Sequence, residues 1–531
     1  MASSLVDQAQ VNNGLQIGGY FVRPDAAIFF LICVAFIYFH LFIFLFTPIF
    51  YEEDHLYIMH DAWRMYGGEM IYRDFFQIMY PGTQLLYLAF FYVFGLRFWI
   101  VDVIILIQAT VSVMLCLGIS RKLIGDFWYA YLPPVLYLFF GFRWLGIDGH
   151  HRVFSPIFAM LAVYVLLKGR GYKRIVLAGA LCGVASFFTQ QRGLLSIAGI
   201  AAFLIVEGFS QRASAGEIAK KIVAAGAAYA TTLAVLIAPF IVAAGPEKFF
   251  KYTLFFVSSY LQDSSANYNA YLLGIRTVFS TGYLIAAVSL FYYILIPFVY
   301  ILCFVYLWFT RKAISNDIGR QGILLVSLVG LALSLGTFGP SPNRLYQIAA
   351  PAVIVFGWLA FQFWPKARLA VRFAVIGLIV FGIALAVRVQ THWEPNFLEA
   401  PTGRIAFLSP ITMEKYAWLN ENAATGDNVF EVYNCTVNFP LLLPNPTEAT
   451  HLLNTGYSPP WQVAGAIDSL EEKKARYIIW DGNWDAEVQT MADGERLKPL
   501  HKYLNENYVM RKQFTPNNNR SPQAWERKDH P

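Results

Sequence analysis

Charged residues are scarce in this chain. Asp, Glu, Lys and Arg make up 14% of its 531 residues, against about 25% in an average soluble domain. That scarcity excludes an ordinary soluble protein. The 57% of hydrophobic residues, spread over most of the length, place the chain in a membrane. Cysteine is sparse too. Cys33, Cys116, Cys182, Cys303 and Cys435 form no CxxC pair, and four of the five lie in apolar segments. A disulfide framework and a cysteine zinc site are excluded, and small buried hydrophobes are expected. No GxGxxG or GxxxxGK[ST] loop is present, so there is no nucleotide fingerprint. The net charge of +6 is modest, and no nucleic-acid partner is expected. The first 22 residues are polar and lack the pattern of a cleavable signal peptide, which makes the first apolar run a true span.

Apolar runs are what the chain has in abundance. A span needs about 20 such residues. Candidates fall near 26–48, 82–96, 98–121, 127–145, 154–168, 174–190, 193–209, 221–244, 281–309, 321–338, 346–364 and 369–390. Basic loops orient them by the positive-inside rule. Lys168, Arg170, Lys173 and Arg174 mark one cytoplasmic loop, and Arg212, Lys220 and Lys221 a second. Arg311, Lys312 and Arg320 mark a third, and Lys366, Arg368 and Arg372 a fourth. The loops near 146–153, 190–193, 245–275 and 339–345 then face outward. Loop 51–80, with six acids against two arginines, faces outward as well, while Arg121 and Lys122 read as cytoplasmic. An odd number of crossings must therefore lie between 82 and 121. Either 82–96 is a half-span or 98–121 is broken, giving roughly 11 to 13 spans.

Near residue 392 the character changes. Hydrophobic runs shorten, and Asn, Glu, Asp and Pro rise. Residues 1–391 are expected to form the transmembrane domain, with loop 49–81 as its first outer loop, and 392–531 a soluble extracytoplasmic α/β domain. Helices are expected at 411–423, 461–474 and 496–507, and strands at 428–433, 476–480, 508–514 and 522–527.

The first outer loop carries the chemistry. Glu52-Glu53-Asp54 follows the first apolar run directly. Carboxylates at a bilayer boundary lose solvation and gain nothing from lipid. Placed on a helix over 52–66, Leu56, Met59, Trp63 and Tyr66 share one face, and Glu53, Tyr57, His60 and Arg64 the other. Such a segment lies in the membrane interface with its aromatic face against lipid or protein. Gly67-Gly68 ends it. Ile71-Tyr72-Arg73-Asp74-Phe75 and then Pro81-Gly82 lead into the next apolar run.

Over about 50 residues this order and spacing resembles the GT-C glycosyltransferases. More closely, it resembles the bacterial relatives of protein O-mannosyltransferases and of the lipid A aminoarabinose transferase. The resemblance implies a polytopic α-helical membrane protein with a C-terminal extracytoplasmic α/β domain, in the inner or plasma membrane. It implies a glycosyltransferase that moves a hexosyl or pentosyl group from a polyprenyl-phosphate donor to a lipid, glycan or protein acceptor, with inversion. A first-loop carboxylate, Glu53 or Asp54, acts as base. Relatives carry Asp then Glu, whereas this chain has Glu52-Glu53-Asp54, so which residue acts stays open.

A departing lipid phosphate needs cations. Outward-facing Arg73, Arg152, Arg192 and Arg344 are the candidates. Tyr57, Asp74, Asp148, His150, His151, Gln191 and Tyr346 are the further candidates for substrate contacts. Asp148 with His150-His151 lacks a strong ligand spacing such as HExxH, and no metal or other cofactor is expected. Lys248 and Lys251 are placed to steer an anionic head group, and Trp461, Trp480 and Trp484 are placed to stack on sugars or to fill a core. The competing classes are a secondary transporter and a ligase or polymerase of lipid-linked glycans. The chain shows no repeated pair of Gly/Pro-broken helices, and its first loop is acidic where a ligase favours arginines.

Overall fold

In lipid, a backbone satisfies its own N–H and C=O groups most simply as helix, and the apolar runs of this chain take that form. The computed structural model describes residues 15–17, 20–43, 45–263, 267–279, 282–310, 317–517 and 520–529. Most of the polar leader, together with Arg311 and Lys312 of the third basic loop, lies outside the described residues.

The helices that matter here are α1 (Pro24–Leu41), α2 (His55–Tyr66), α3 (Gly82–Phe94), α4 (Ile100–Leu123), α5 (Phe127–Val135), α6 (His151–Leu167), α7 (Tyr172–Phe188), α8 (Gln190–Ser210), α9 (Ala215–Ala244), α10 (Tyr283–Phe309), α11 (Ile318–Leu335), α12 (Pro342–Gln347), α13 (Ala349–Phe363) and α14 (Arg368–His392). Among the described residues six segments are long and apolar enough to cross a membrane: α1, α4, α8, α9, α10 and the segment ending with α14. Four shorter apolar helices accompany them, α3, α6, most of α11, and α13. The chain is a multi-pass membrane protein. Of the two alternatives open for residues 82–121, α4 is unbroken and α3 is short. At about 1.5 Å per residue, the 13 residues of α3 fall short of a hydrocarbon core about 30 Å thick.

The bundle has two chemically different ends. At one, Arg121 pairs with Asp25, Lys122 and Lys168 share the Tyr164 ring, Arg170 reaches Glu207 and Gln321, and Arg368 bonds Asp126. These contacts gather the basic loops that the sequence marks as cytoplasmic. The opposite end carries α2, the turn between α7 and α8, α12 and the C-terminal part.

Proline shapes one helix on the way. Pro133 and Pro134 sit inside α5, where each removes a backbone donor. The chain continues as a π-helix, Leu136–Gly146, the wide form common at functional sites. It delivers Asp148 to His151 to the non-basic end.

Beyond α14, a hairpin of β1 (Asn396–Ala400) and β2 (Gly403–Phe407) precedes α15 (Pro410–Asn422). A four-stranded sheet follows, in the order β3–β4–β6–β5, formed by Val429–Glu431, Tyr477–Asp481, Pro522–Arg527 and Tyr508–Gln513 respectively. β3 and β4 are parallel, and the other neighbours antiparallel. Helices α16 (Pro460–Glu472) and α17 (Lys498–Asn507) pack on it. Trp480 is 1% exposed in that core, with Trp484 edge-on against it, and Trp461 stacks instead on Tyr252 of the long 245–275 loop.

The C-terminal part is stitched to the first loop. Ile49 bridges Ala406, and Phe50 N–H donates to Ala406 O at 2.8 Å. The Phe50 ring lies 4.5 Å from Phe407 and 4.8 Å from Tyr416. These contacts fix the backbone immediately before Glu52. The expected interfacial helix, α2, is covered on both faces, with only Tyr66 of its tip exposed. It is sandwiched because Arg64 donates to Thr447 O at 2.8 Å while the other face packs on α3.

Candidate active site

The acids Glu52-Glu53-Asp54 sit where the stitched segment turns into α2. Asp54 occupies the N-cap position yet makes no capping hydrogen bond. An Asp at that place ordinarily contributes about 0.5–2 kcal/mol by capping. Here its carboxylate turns instead to Arg152 on α6, whose Nη1 lies 3.1 Å from Oδ2. The Asp54 side chain is 42% exposed and that of Arg152 14% exposed.

Both line an open cleft of about 710 Å³ between the bundle and the C-terminal part. Tyr57 and the Gln77–Met79 segment come from the first loop, Arg344 from α12, and Tyr260 and Asp263 from the 245–275 loop. Tyr433, Asn434, His451, Leu453 and Tyr457 close the other wall. The first-loop wall is rigidly held. Gln77 donates to the fully buried Asp61 at 2.7 Å, its own Oε1 accepts from Ile78 N–H at 2.9 Å, and Gln190 donates to Ile78 O at 2.8 Å.

Burial alone would raise the pKa of Asp54. Burial is the largest single influence, but the Arg152 and Arg344 charges, the Arg152 hydrogen bond and His451 together outweigh it, so the Asp54 carboxyl stays below its ordinary value of 3.8. Glu53 goes the other way. Burial, and then the negative charges of Asp148, Asp54 and Glu52, hold it well above 4.5. Neighbouring carboxylates pushed apart in this way take different roles. Asp54 is ionised and opens to the cleft, whereas Glu53 does not line it.

Behind Asp54 lies a buried polar cluster. The Tyr57 hydroxyl is hydrogen-bonded to His150 Nε2. Asp148 accepts from His150 N–H at 2.9 Å and from Gln347 at 3.0 Å, and lies 3.7 Å from His55 Nδ1. Burial, with His151 and Arg152 nearby, drives the pKa of His150 well below its usual 6.5, so the ring is neutral. His151 Nδ1 meets Thr189 Oγ1 at 2.9 Å. Among the described residues, no group of three or more His, Cys, Asp and Glu side chains is placed to hold a metal ion.

The cations converge unequally. Arg344 lines the cleft, and its guanidinium donates to Phe338 O at 3.2 Å and Gly339 O at 3.0 Å. Arg192 is 1% exposed and sits behind Arg152, donating to its backbone oxygen. Gly193 makes that position possible, since a side chain there would collide with the backbone of Ser186 and Cys182 in α7. Among the described residues Arg192 has no carboxylate within ion-pair distance. A buried guanidinium without a counter-charge is costly, and an anion in the adjoining cleft would relieve it.

The remaining sequence candidates lie elsewhere. Arg73 and Asp74 pair with each other at 2.7 Å, with Arg73 half-exposed, and neither lines the cleft. Tyr346 is packed inside the bundle, stacked 4.8 Å from Tyr137 and donating to Tyr137 O at 2.9 Å. Gln191 is half-buried in the first turn of α8. Lys248 bonds Arg73 O at 2.7 Å and Glu448 at 3.3 Å, and Lys251 covers Trp461. Both lysines clamp the 245–275 loop to its neighbours. The wall residues Tyr260, Asp263, Tyr433, His451 and Tyr457 carry no local sequence signal, because only tertiary folding brings them to Asp54.

No family model and no curated protein matches the chain. Solved structures do. ArnT from Cupriavidus metallidurans bound to undecaprenyl phosphate is 12% identical with a TM-score of 0.57, over 95% of this chain and 98% of that one. The apo form of the same protein is 13% identical with a TM-score of 0.58, over 94% and 97%. The archaeal oligosaccharyltransferase AglB from Archaeoglobus fulgidus, in complex with an inhibitory peptide and a dolichol-phosphate, is 14% identical with a TM-score of 0.52, over 95% and 74%. The chain shares their fold, the GT-C fold.

Proposed function

We propose that this protein is a membrane glycosyltransferase that takes a sugar from a polyprenyl-phosphate donor and passes it to an acceptor at the outer membrane face. The observation that carries the reading is the cleft itself. An ionised, partly exposed carboxylate stands against guanidinium groups at the boundary between apolar helices and an aqueous domain. Two of the solved structures that share the fold hold a polyprenyl-type lipid phosphate, undecaprenyl phosphate in one and dolichol-phosphate in the other, which supports the donor class.

In this reading Asp54 is the base and the reaction is a single displacement. The acceptor oxygen attacks the anomeric carbon as Asp54 takes its proton. The new carbon–oxygen bond forms while the bond from carbon to phosphate oxygen breaks, with inversion. The charge that grows on the lipid phosphate is met by Arg152 and Arg344, with Arg192 behind them. A carboxylate with a depressed pKa is a weak base. As the phosphate draws Arg152 toward itself, Asp54 loses its counter-charge and becomes a stronger one. The apolar helices take the isoprenoid tail, and the basic end of the bundle lies in the cytoplasm.

Mass spectrometry of lipids extracted from the purified protein tests the donor class. A polyprenyl phosphate, free or carrying one sugar, is expected, enriched over the surrounding membrane. Ordinary phospholipids alone, at membrane proportions, would count against it.

A further inference from the structure

A second cleft, of about 540 Å³, opens in the C-terminal part. It lies between the first turn of α15, the carboxyl ends of the parallel strands β3 and β4, and Phe514, Thr515, Asn517, Arg520 and Pro522. In open α/β sheets that end is where ligands bind.

This cleft adjoins the first. Tyr433 lines both. Glu52 lines the second and Asp54 the first, and two residues of chain span at most about 7 Å. Nothing in the mechanism above uses this second cleft.

Its lining suits neutral, hydroxyl-rich matter. Three carboxylates face two cations, and Lys415 is already bound to Glu431 at 2.6 Å, so the cleft is no home for a second phosphate. Directional groups of several kinds are present, among them Glu52, Asp481, Thr412 and Asn517, and the Arg520 guanidinium stacks on the Tyr433 ring at 3.2 Å. A peptide fits less well. Strand addition needs a free sheet edge. The edge strand beside the cleft, β3, is already covered, with Val429 N–H donating to Pro444 O at 2.9 Å and Leu452 N–H to Val432 O at 2.7 Å.

We infer that the C-terminal cleft is an acceptor subsite that holds the sugar portion of a glycan-bearing acceptor, whose reactive hydroxyl passes Tyr433 to reach Asp54. This rests on the transferase reading and names the acceptor class for it. Glu52 and Asp481 accept from sugar hydroxyls, and Asn517 both donates and accepts.

The test uses the full-length protein in lipid nanodiscs on a printed array of neutral and acidic oligosaccharides, beside an array of Ser/Thr-rich peptides. Binding to a subset of glycans is expected, retained in Asp54→Asn. It should weaken at least tenfold in Thr412→Trp, which fills the cleft from α15. Asn517→Ala, whose side chain donates to Thr412 Oγ1 at 2.9 Å, removes one contact without bulk and should weaken it severalfold. Binding to peptides alone, to neither array, or to glycans with unchanged strength in both cleft variants would overturn the inference. Glycan binding by a protein that transfers no sugar would leave the subsite standing and remove the transferase reading instead.

Discussion

Asp54→Asn is expected to lower sugar transfer by about 10²–10⁴-fold, the range for loss of a general base, with the fold intact. The isosteric amide keeps the shape of the first loop, and Asp54 makes no capping bond to lose. Retained folding is checked by an unchanged melting temperature. Glu53→Gln is expected to cost far less, because Glu53 does not line the cleft. The pH dependence separates the two acids. A base must be deprotonated, so activity falls as pH drops through its pKa. With Asp54 below 3.8 and Glu53 well above 4.5, kcat/KM, which reports the free enzyme, should be flat from neutral pH down to 4.5. An acidic limb above 4.5 in wild type, abolished by Glu53→Gln, would move the base to Glu53.

The second large effect is expected from Arg152→Met. Loss of one charge-stabilising donor to a developing anion is worth about 10²–10³-fold in rate. Here the loss should fall on use of the lipid donor, with the acceptor KM little changed. The same variant removes the largest influence that depresses Asp54, while the burial that raises it remains. The acidic limb of kcat/KM should therefore move upward. An Arg152 that merely braces the protein would lower stability without moving that limb. Arg192 offers a contrast. Its charge is buried without a carboxylate partner among the described residues, so replacement by Met should weaken donor use while leaving stability level or raised.

Much of the architecture is legible because it is local. The strand and helix expected at 428–433 and 411–423 appear as β3 and α15, within a residue or two at each end. Turn glycines and alternating apolar residues report on nearby backbone, and Gly67-Gly68 ends α2 where expected. The β1–β2 hairpin gives less warning, since its pairing with Ile49 and Phe50 joins segments more than 350 residues apart. The same holds for the site. Asp54 and Arg152 announce themselves as charges beside apolar runs, yet their 3.1 Å contact spans 98 residues of sequence. Arg73 announces itself equally well and pairs instead with its neighbour Asp74. Charge in a loop marks a residue that needs a partner, and only the fold decides which partner it finds.

The central claim is that sugar leaves a polyprenyl phosphate in the Asp54 cleft. Reconstituted protein given undecaprenyl-phosphate carrying a labelled sugar, together with a membrane extract as acceptor source, tests it most directly. Label moving from the donor lipid to a new product, at a rate cut at least 100-fold in Asp54→Asn, is the predicted result. Label that stays on the donor lipid over a panel of hexosyl and pentosyl donors, or that moves equally fast in the variant, would contradict the account.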